Sequence, residues 1–144
     1  QARPEIMRAI ECKSQFGHAA EPWTSFAILH DIETATGNQA AARAAWQNAR
    51  NAYRAYRRQR GYAQSESGKL ADHVLGLIAQ QKTDEIQPLL TRLSDDPDAL
   101  DSLKLLIRAV DAILNGDLDP SPADDPALHY ADAAEILFFI DRLE

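Results

Sequence analysis

Cysteine, long apolar runs and low-complexity segments are scarce in this chain, and each absence excludes a class of protein. A single cysteine, Cys12, cannot form an intrachain disulfide framework. The longest unbroken apolar run, residues 136–140, is far shorter than the roughly 20 residues of a membrane-spanning helix. Hydrophobic residues at 45% and charged residues at 26% are ordinary for a globular chain of 144 residues. We therefore expect a folded protein with its own core and no membrane partner.

Methionine is also scarce, since Met7 is the only one and the chain starts at Gln1. The first residues lack the apolar stretch of about 7 to 15 residues that a secretory signal contains. We interpret the chain as a processed or excised piece of a protein, and we expect a cytoplasmic location.

Acidic residues are distributed unevenly, and the formal net charge of −7 conceals two opposite halves. Residues 1–83 carry 11 basic and 7 acidic side chains, whereas residues 84–144 carry 4 basic and 15 acidic ones. No acid lies between Glu33 and Glu66. Nucleic-acid affinity depends on the number of phosphates that a protein neutralises, and an acidic half opposes it. We expect no nucleic-acid partner.

The spacing of apolar residues is helical along most of the chain, and no segment alternates long enough to predict a strand. Asp96-Pro97 and Asp125-Pro126 each place a carboxylate before a proline, a pattern typical of a helix start. Residues 61–68, rich in Ser, Gln and Gly, predict a loop and a candidate subdomain boundary. The predicted helices cover residues 4–16, 22–36, 40–58, 69–80, 84–93 (capped by Thr83), 97–114 and 126–143.

Residues 23–53 combine an aromatic-x2-Leu pair, a turn glycine and a small-x3-aromatic-x2-small pattern, carried by Phe26, Leu29, Gly37, Ala42, Trp46 and Ala49. This combination resembles one tetratricopeptide repeat (TPR), a helix-turn-helix unit of about 34 residues. The separation of 16 residues between Phe26 and Ala42 agrees with the family. His30 and Glu33 depart from it, because the family has glycine and tyrosine there. The alternative is an unrelated alanine-rich helical hairpin.

The resemblance implies an all-α fold, namely a right-handed helical stack of about six to seven helices. We expect one helical domain over residues 1–144, with TPR-like helices in 4–58, a loop in 59–68 and a divergent helical cap in 69–144. Residues 124–136 resemble the tail after repeat arrays in some bacterial TPR proteins, which suggests the C-terminal part of a longer array. The implied function is a scaffold for a protein or peptide partner, without catalysis, cofactor or metal.

Partner-binding positions follow from the resemblance, because ligand contacts in this family line the first helix of each repeat. Transferred by spacing, that face carries Thr24, Ala27, Asp31 and Thr34, of which the three polar residues are the candidates for partner binding. Asp31 has the wrong charge for holding the terminal carboxylate of a peptide, so we do not predict that activity.

A second candidate surface consists of arginines at helical spacing on one face, namely Arg50, Arg54, Arg57 and Arg58. One interpretation is that these side chains bind a phosphate, a nucleic acid or an acidic partner segment. The other is that they are solvated and balance the acidic half of the chain.

Two further alternatives concern the C-terminal region. An enzyme site near residues 117–125 and His129 is one, although calcium-loop and metal-ligand spacings are not met there. The other concerns the apolar last helix, where Phe138 and Phe139 either close the stack or form an oligomer surface.

Overall fold

The structure, a computed structural model, describes residues 2–144 except for the side chains of His18 and Ala19. All regular elements within these residues are helical, which confirms the predicted all-α class with about seven helices. None of these helices is long and apolar enough to cross a membrane. Three short 3-10 helices cover Gly17–Ala20, Thr83–Glu85 and Ser121–Asp124. The α-helices are α1 (Ala2–Lys13), α2 (Pro22–Ala35), α3 (Gln39–Arg58), α4 (Glu66–Ala79), α5 (Ile86–Ser94), α6 (Asp101–Leu114) and α7 (Tyr130–Leu143).

The chain divides into two compact units, unit 1 (Gln1–Arg60) and unit 2 (Gly61–Glu144). The division falls inside residues 59–68, where the sequence predicts a loop. Unit 1 contains α1 to α3 and has nine basic and five acidic residues, a net charge of +4. Unit 2 contains α4 to α7 and has six basic and 17 acidic residues, a net charge of −11. The basic half of the sequence therefore corresponds closely to unit 1, and the acidic half to unit 2.

In unit 1, α2 and α3 form a hairpin whose close packing depends on alanine. Gly37 turns the chain with a φ of +77°, which glycine adopts without strain. Asn38 caps α3 by accepting a hydrogen bond from the N–H of Ala41 at 3.3 Å. Small side chains let the two helices approach closely. The buried face of α3 consists of Ala42, Ala45, Trp46, Ala49, Tyr53 and Arg57.

Two side chains of α2 link it to α3. Trp23 meets the ring of Tyr53 edge-on, with centroids 5.4 Å apart. The Nδ1 atom of His30 lies 2.9 Å from the carbonyl oxygen of Ala42.

The buried positions of α2 are not the ones that carry the TPR pattern. Trp23, Ser25 and Glu33 are buried, whereas Phe26 and Leu29 are only half-buried. The reason is that α2 packs against both α1 and α3, so its buried residues point in two directions.

The centre of unit 2 is α7, in which all residues from 131 to 140 are buried. This helix packs on α4, on α6 and on the 3-10 helix Ser121–Asp124. Phe139 is 0% exposed and Phe138 is 7% exposed. The two rings are therefore core residues of the single chain, which favours the alternative in which they are buried within it over the one in which they form an oligomer surface.

Both Asp-Pro pairs lie in turns, and α6 and α7 begin four residues later than predicted. Asp96 and Asp125 each accept a hydrogen bond from the N–H two residues further along, at 2.9 Å. This Asx turn satisfies the carboxylate without starting a helix. His129 caps α7 instead, since its Nδ1 accepts from the N–H of Ala131 at 3.3 Å.

The loop between the units is shorter than predicted, because α4 begins at Glu66. Ser65 caps this helix by accepting a hydrogen bond from the N–H of Gly68 at 3.1 Å. Serine is common both in loops and at helix caps, so composition alone did not separate the two. Thr83 does not cap α5 as predicted; it starts a separate 3-10 turn, and α5 has no side-chain cap.

Candidate functional site

A groove of about 420 Å³ opens between the three helices of unit 1, and we call it the α1–α3 groove. Met7 and Arg3 line it from α1, and Leu29 and Glu33 line it from α2. Alanine side chains on α3 leave space here because they end at Cβ. The residues of α3 and its cap that line the groove are Asn38, Ala41, Ala44, Ala45 and Asn48.

The wall of the α1–α3 groove is mainly apolar, with one ion pair at its edge. Met7 is 49% exposed there. Arg3 donates from Nε to Glu33 Oε1 and from Nη2 to Glu33 Oε2 at 3.3 Å. Because the side chain of Glu33 is buried, pairing with Arg3 offsets the cost of removing its charge from water. A ligand in the groove would therefore contact the methyl groups of the α3 alanines and the thioether of Met7, beside the Arg3–Glu33 ion pair.

The three α2 positions implied by the TPR resemblance are not among the groove-lining residues. Thr24 accepts a hydrogen bond from Lys13 Nζ at 3.3 Å and donates one to the carbonyl of Glu21 at 2.8 Å. Thr34 donates to the carbonyl four residues earlier, also at 2.8 Å, and Asp31 is exposed. Both threonines thus make local hydrogen bonds, and the structure brings none of the three residues to the groove.

The four arginines predicted on one face of α3 have different surroundings. Arg57 is 3% exposed, because it follows Tyr53 by one turn and continues the buried stripe of α3. It therefore does not belong to an exposed face. Arg50 is half-buried, and its Cζ lies 5.5 Å from the ring centroid of Trp46, a cation–π distance.

The other two arginines line a cavity of about 490 Å³ along the last turns of α3, which we call the arginine cavity. Arg54 is half-buried and Arg58 is exposed, and they lie one helical turn apart. A guanidinium group only donates hydrogen bonds, and it matches carboxylate and phosphate oxygens. The remaining lining residues are Asn51, Ala55 and Gln59.

The loop considered for an enzyme site consists largely of local turns. Asp117 and Asp119 each accept a hydrogen bond from the N–H two residues further along, at 3.1 Å and 2.9 Å. Ser121 Oγ also donates to Asp119 Oδ2 at 2.6 Å. This side-chain bond, followed by the backbone bond, lowers the pKa of Asp119 from its ordinary 3.8. In the part of the chain that the structure describes, no three His, Cys, Asp or Glu residues are grouped to hold a metal ion.

A buried polar contact in unit 2 was not predicted. Ser67, near the start of α4, donates a hydrogen bond to Asp132 Oδ1 of α7, and both residues are buried. Glu135, one turn further along α7, is 0% exposed and lies beside Gly68. The available signal was the pair of carboxylates three residues apart in residues 131–140, which are otherwise apolar; this spacing places the two on one side of the helix.

Comparison with known proteins does not assign a function to these residues. No family model, curated protein or solved structure matches the chain. The candidate site therefore consists of the α1–α3 groove and the arginine cavity, both formed by unit 1.

Proposed function

We propose that this protein is a non-catalytic protein-interaction module, similar to TPR scaffolds, whose α1–α3 groove binds a peptide segment of a partner protein. The observation that carries the proposal is the groove itself, an open space of about 420 Å³ beside an exposed methionine. Concave, mainly apolar surfaces with a few polar groups are typical of binding sites.

The groove-lining residues favour binding over catalysis. Their titratable side chains are Arg3 and Glu33, and these two pair with each other. A general base or nucleophile has to reach a substrate atom, which a paired and buried carboxylate does poorly. Asn48 is exposed at the groove and offers both a donor and an acceptor, the chemistry that a peptide backbone needs.

The TPR resemblance supports the same function independently. Ala42 and Ala49, which carry the repeat pattern, are 6% and 0% exposed on the packed face of α3. A right-handed stack, a bacterial origin and a cytoplasmic location belong to this proposal. The reading frame of the full-length protein tests the array directly, since repeats of about 34 residues are expected before Gln1.

Selection of a random-peptide display library on the purified chain tests the proposed function. We expect enriched peptides to carry apolar side chains that fill the groove. Ala44→Arg places a long charged side chain at an exposed groove position and should weaken their binding by about tenfold or more.

The matched control is Ala79→Arg, the same change at an exposed alanine of α4 outside the groove. Its peptide binding should equal that of the wild type, and circular dichroism should show both variants folded. If no peptide is enriched, or if Ala44→Arg binds the peptides as tightly as the wild type, the groove is not the binding site.

A further inference from the structure

Helix α1 forms one wall of the α1–α3 groove, but its apolar contact with the rest of unit 1 is small. Of its 12 residues only Ile6 is buried, whereas α3 buries six residues. Ala9 and Ile10 are half-buried, and Met7 is 49% exposed. A helix in a protein is stabilised mainly by the apolar area that it buries, so α1 depends on further contacts to stay in place.

Polar side chains supply these contacts near both ends of α1. Arg3 pairs with Glu33 near the start of the helix, and its Nη2 also donates to Thr36 Oγ1 at 3.2 Å. In the last turn, Lys13 Nζ donates to Thr24 Oγ1 at 3.3 Å. The two donors are ten residues apart, about 15 Å along the helix at 1.5 Å per residue. All three acceptors belong to α2 or its C-cap, so two cations tie α1 to α2.

The contact at Arg3 is the stronger of the two. A guanidinium group bonded to a carboxylate makes hydrogen bonds between two charges, whereas the hydroxyl that Lys13 contacts is neutral. The Glu33 side chain is 4% exposed, so with α1 in place it depends on Arg3 to compensate its charge. The α2–α3 hairpin has aromatic and hydrogen-bonded contacts of its own, which do not involve α1.

We propose that α1 is a detachable wall of the groove, held on the α2–α3 hairpin by Arg3, and that a peptide binds only while α1 is docked. This inference rests on the proposed function, because its ligand is the peptide that occupies the groove. Arg3 and Met7 are the lining residues that α1 contributes, so detachment removes this wall. A ligand that binds only the docked state shifts the chain towards that state. Arg3 is thus a positioning residue that acts on the ligand through α1.

Hydrogen exchange of the free chain, measured by mass spectrometry, tests the detachment. Amides of α1 should exchange through a local opening that leaves those of α3 protected. Arg3→Gln should accelerate exchange in α1 by about tenfold or more, because Glu33 is then buried without its cation in the docked state, and should leave α3 unchanged. Arg3→Lys keeps a cation beside Glu33 and should restore part of the protection.

The matched control is Arg8→Gln, which removes the same charge from an exposed position of α1 outside the groove. Its exchange should equal that of the wild type.

Peptide binding tests the coupling between the ligand and α1. The probe is the tightest peptide from the display library whose binding Ala44→Arg weakens. If it binds only the docked state, a free peptide concentration of about 100 times Kd should slow exchange in α1 by about 100-fold. The same slowing should occur in Arg3→Gln at 100 times the Kd of that variant, about 100-fold again.

The outcomes separate this inference from the proposed function. Unchanged exchange of α1 in Arg3→Gln, or equal acceleration in α1 and α3, overturns the inference and leaves the proposed function intact. A groove-dependent peptide that does not slow exchange in α1 also overturns it, since the hairpin alone then forms the site. Failure to enrich any groove-dependent peptide overturns both.

Discussion

The two units bury their helices to different degrees. In unit 2, α7 is enclosed by its neighbours, with all residues from 131 to 140 buried. In unit 1, Phe26 and Leu29 are only half-buried, and Met7 and Phe16 are 49% and 63% exposed. Unit 2 thus encloses one apolar helix, although Leu100 and Leu118 are exposed elsewhere in it at 72% and 40%. In unit 1 each helix has exposed as well as buried positions, and the α1–α3 groove lies among them.

The polar contacts of the two units differ in the same way. Arg3 and Glu33 pair at the edge of the groove, where the Arg3 side chain is 49% exposed. Ser67 and Asp132 bond to each other in the interior of unit 2. A buried polar pair holds one geometry, because breaking it leaves a group without its hydrogen bond. In the Arg3–Glu33 pair only the Arg3 side chain is accessible to water, whereas Glu33 is buried and depends on its partner.

Truncation of a ring in unit 2 should have the largest effect. Phe139 is 0% exposed, so Phe139→Ala should lower the free energy of unfolding by about 3 to 5 kcal/mol through lost burial and a cavity. Urea denaturation measures this change. Phe16→Ala, at a ring 63% exposed in unit 1, is the control and should shift stability by about 0.5 kcal/mol or less. Equal losses in the two variants would contradict the contrast between an enclosed and an open unit.

The buried and the exposed face of α3 can be distinguished by making the same substitution, Ala→Leu, at one alanine on each face. Ala49 is 0% exposed, so Ala49→Leu should overpack the contact with neighbouring residues and cost about 1 to 3 kcal/mol. Ala44→Leu, on the exposed groove face, should leave the denaturation midpoint nearly unchanged and alter only peptide binding. An unchanged denaturation midpoint for Ala49→Leu would contradict close packing of α3 against its neighbours at this residue.

Two glycines of α4 allow the same substitution to be compared at a crowded and at an open position of unit 2. At Gly68, an added Cβ would lie 2.7 Å from Glu135 Oε1 and 2.9 Å from the Cβ of Ala63, which forces a shift. We expect Gly68→Ala to cost about 1 to 2 kcal/mol. At Gly76 no atom lies within 4 Å of the added Cβ, so Gly76→Ala should stabilise the helix by about 0.5 to 1 kcal/mol. Thermal unfolding compares the two, and a stabilising Gly68→Ala would show that the contact with α7 is loose.

The helices were predictable from sequence because their apolar periodicity is strong, whereas several of their starts were not. Asp96 and Asp125 each precede a proline, and an Asp-Pro pair is compatible with an Asx turn as well as with a helix cap. The enclosed position of α7 was partly visible, since residues 136–140 are apolar on every side of a helix.

The candidate site was predictable only in part. Arg54 and Arg58 were selected by their spacing and do line a cavity, whereas Arg57 is buried because the stripe of Tyr53 continues to it. The α1–α3 groove was missed, because it exists where α3 has only alanine and asparagine between two other helices. Such a space depends on how three helices pack, which no local pattern encodes.

The smallest expected effect concerns the exposed loop of unit 2. Hydrogen bonds from the side chain and then the N–H of Ser121 hold the pKa of Asp119 below 3.8. A folded-state pKa below the unfolded value means that this carboxylate stabilises the fold above about pH 3.8, and that the contribution is lost as the pH falls through the folded pKa. In an NMR titration, Ser121→Ala should raise the pKa of Asp119 towards 3.8 without reaching it, because the backbone bond remains. Ser94→Ala, at an exposed serine of α5, is the control and should leave it unchanged. A pKa for Asp119 that Ser121→Ala does not move would show that the loop is open in solution.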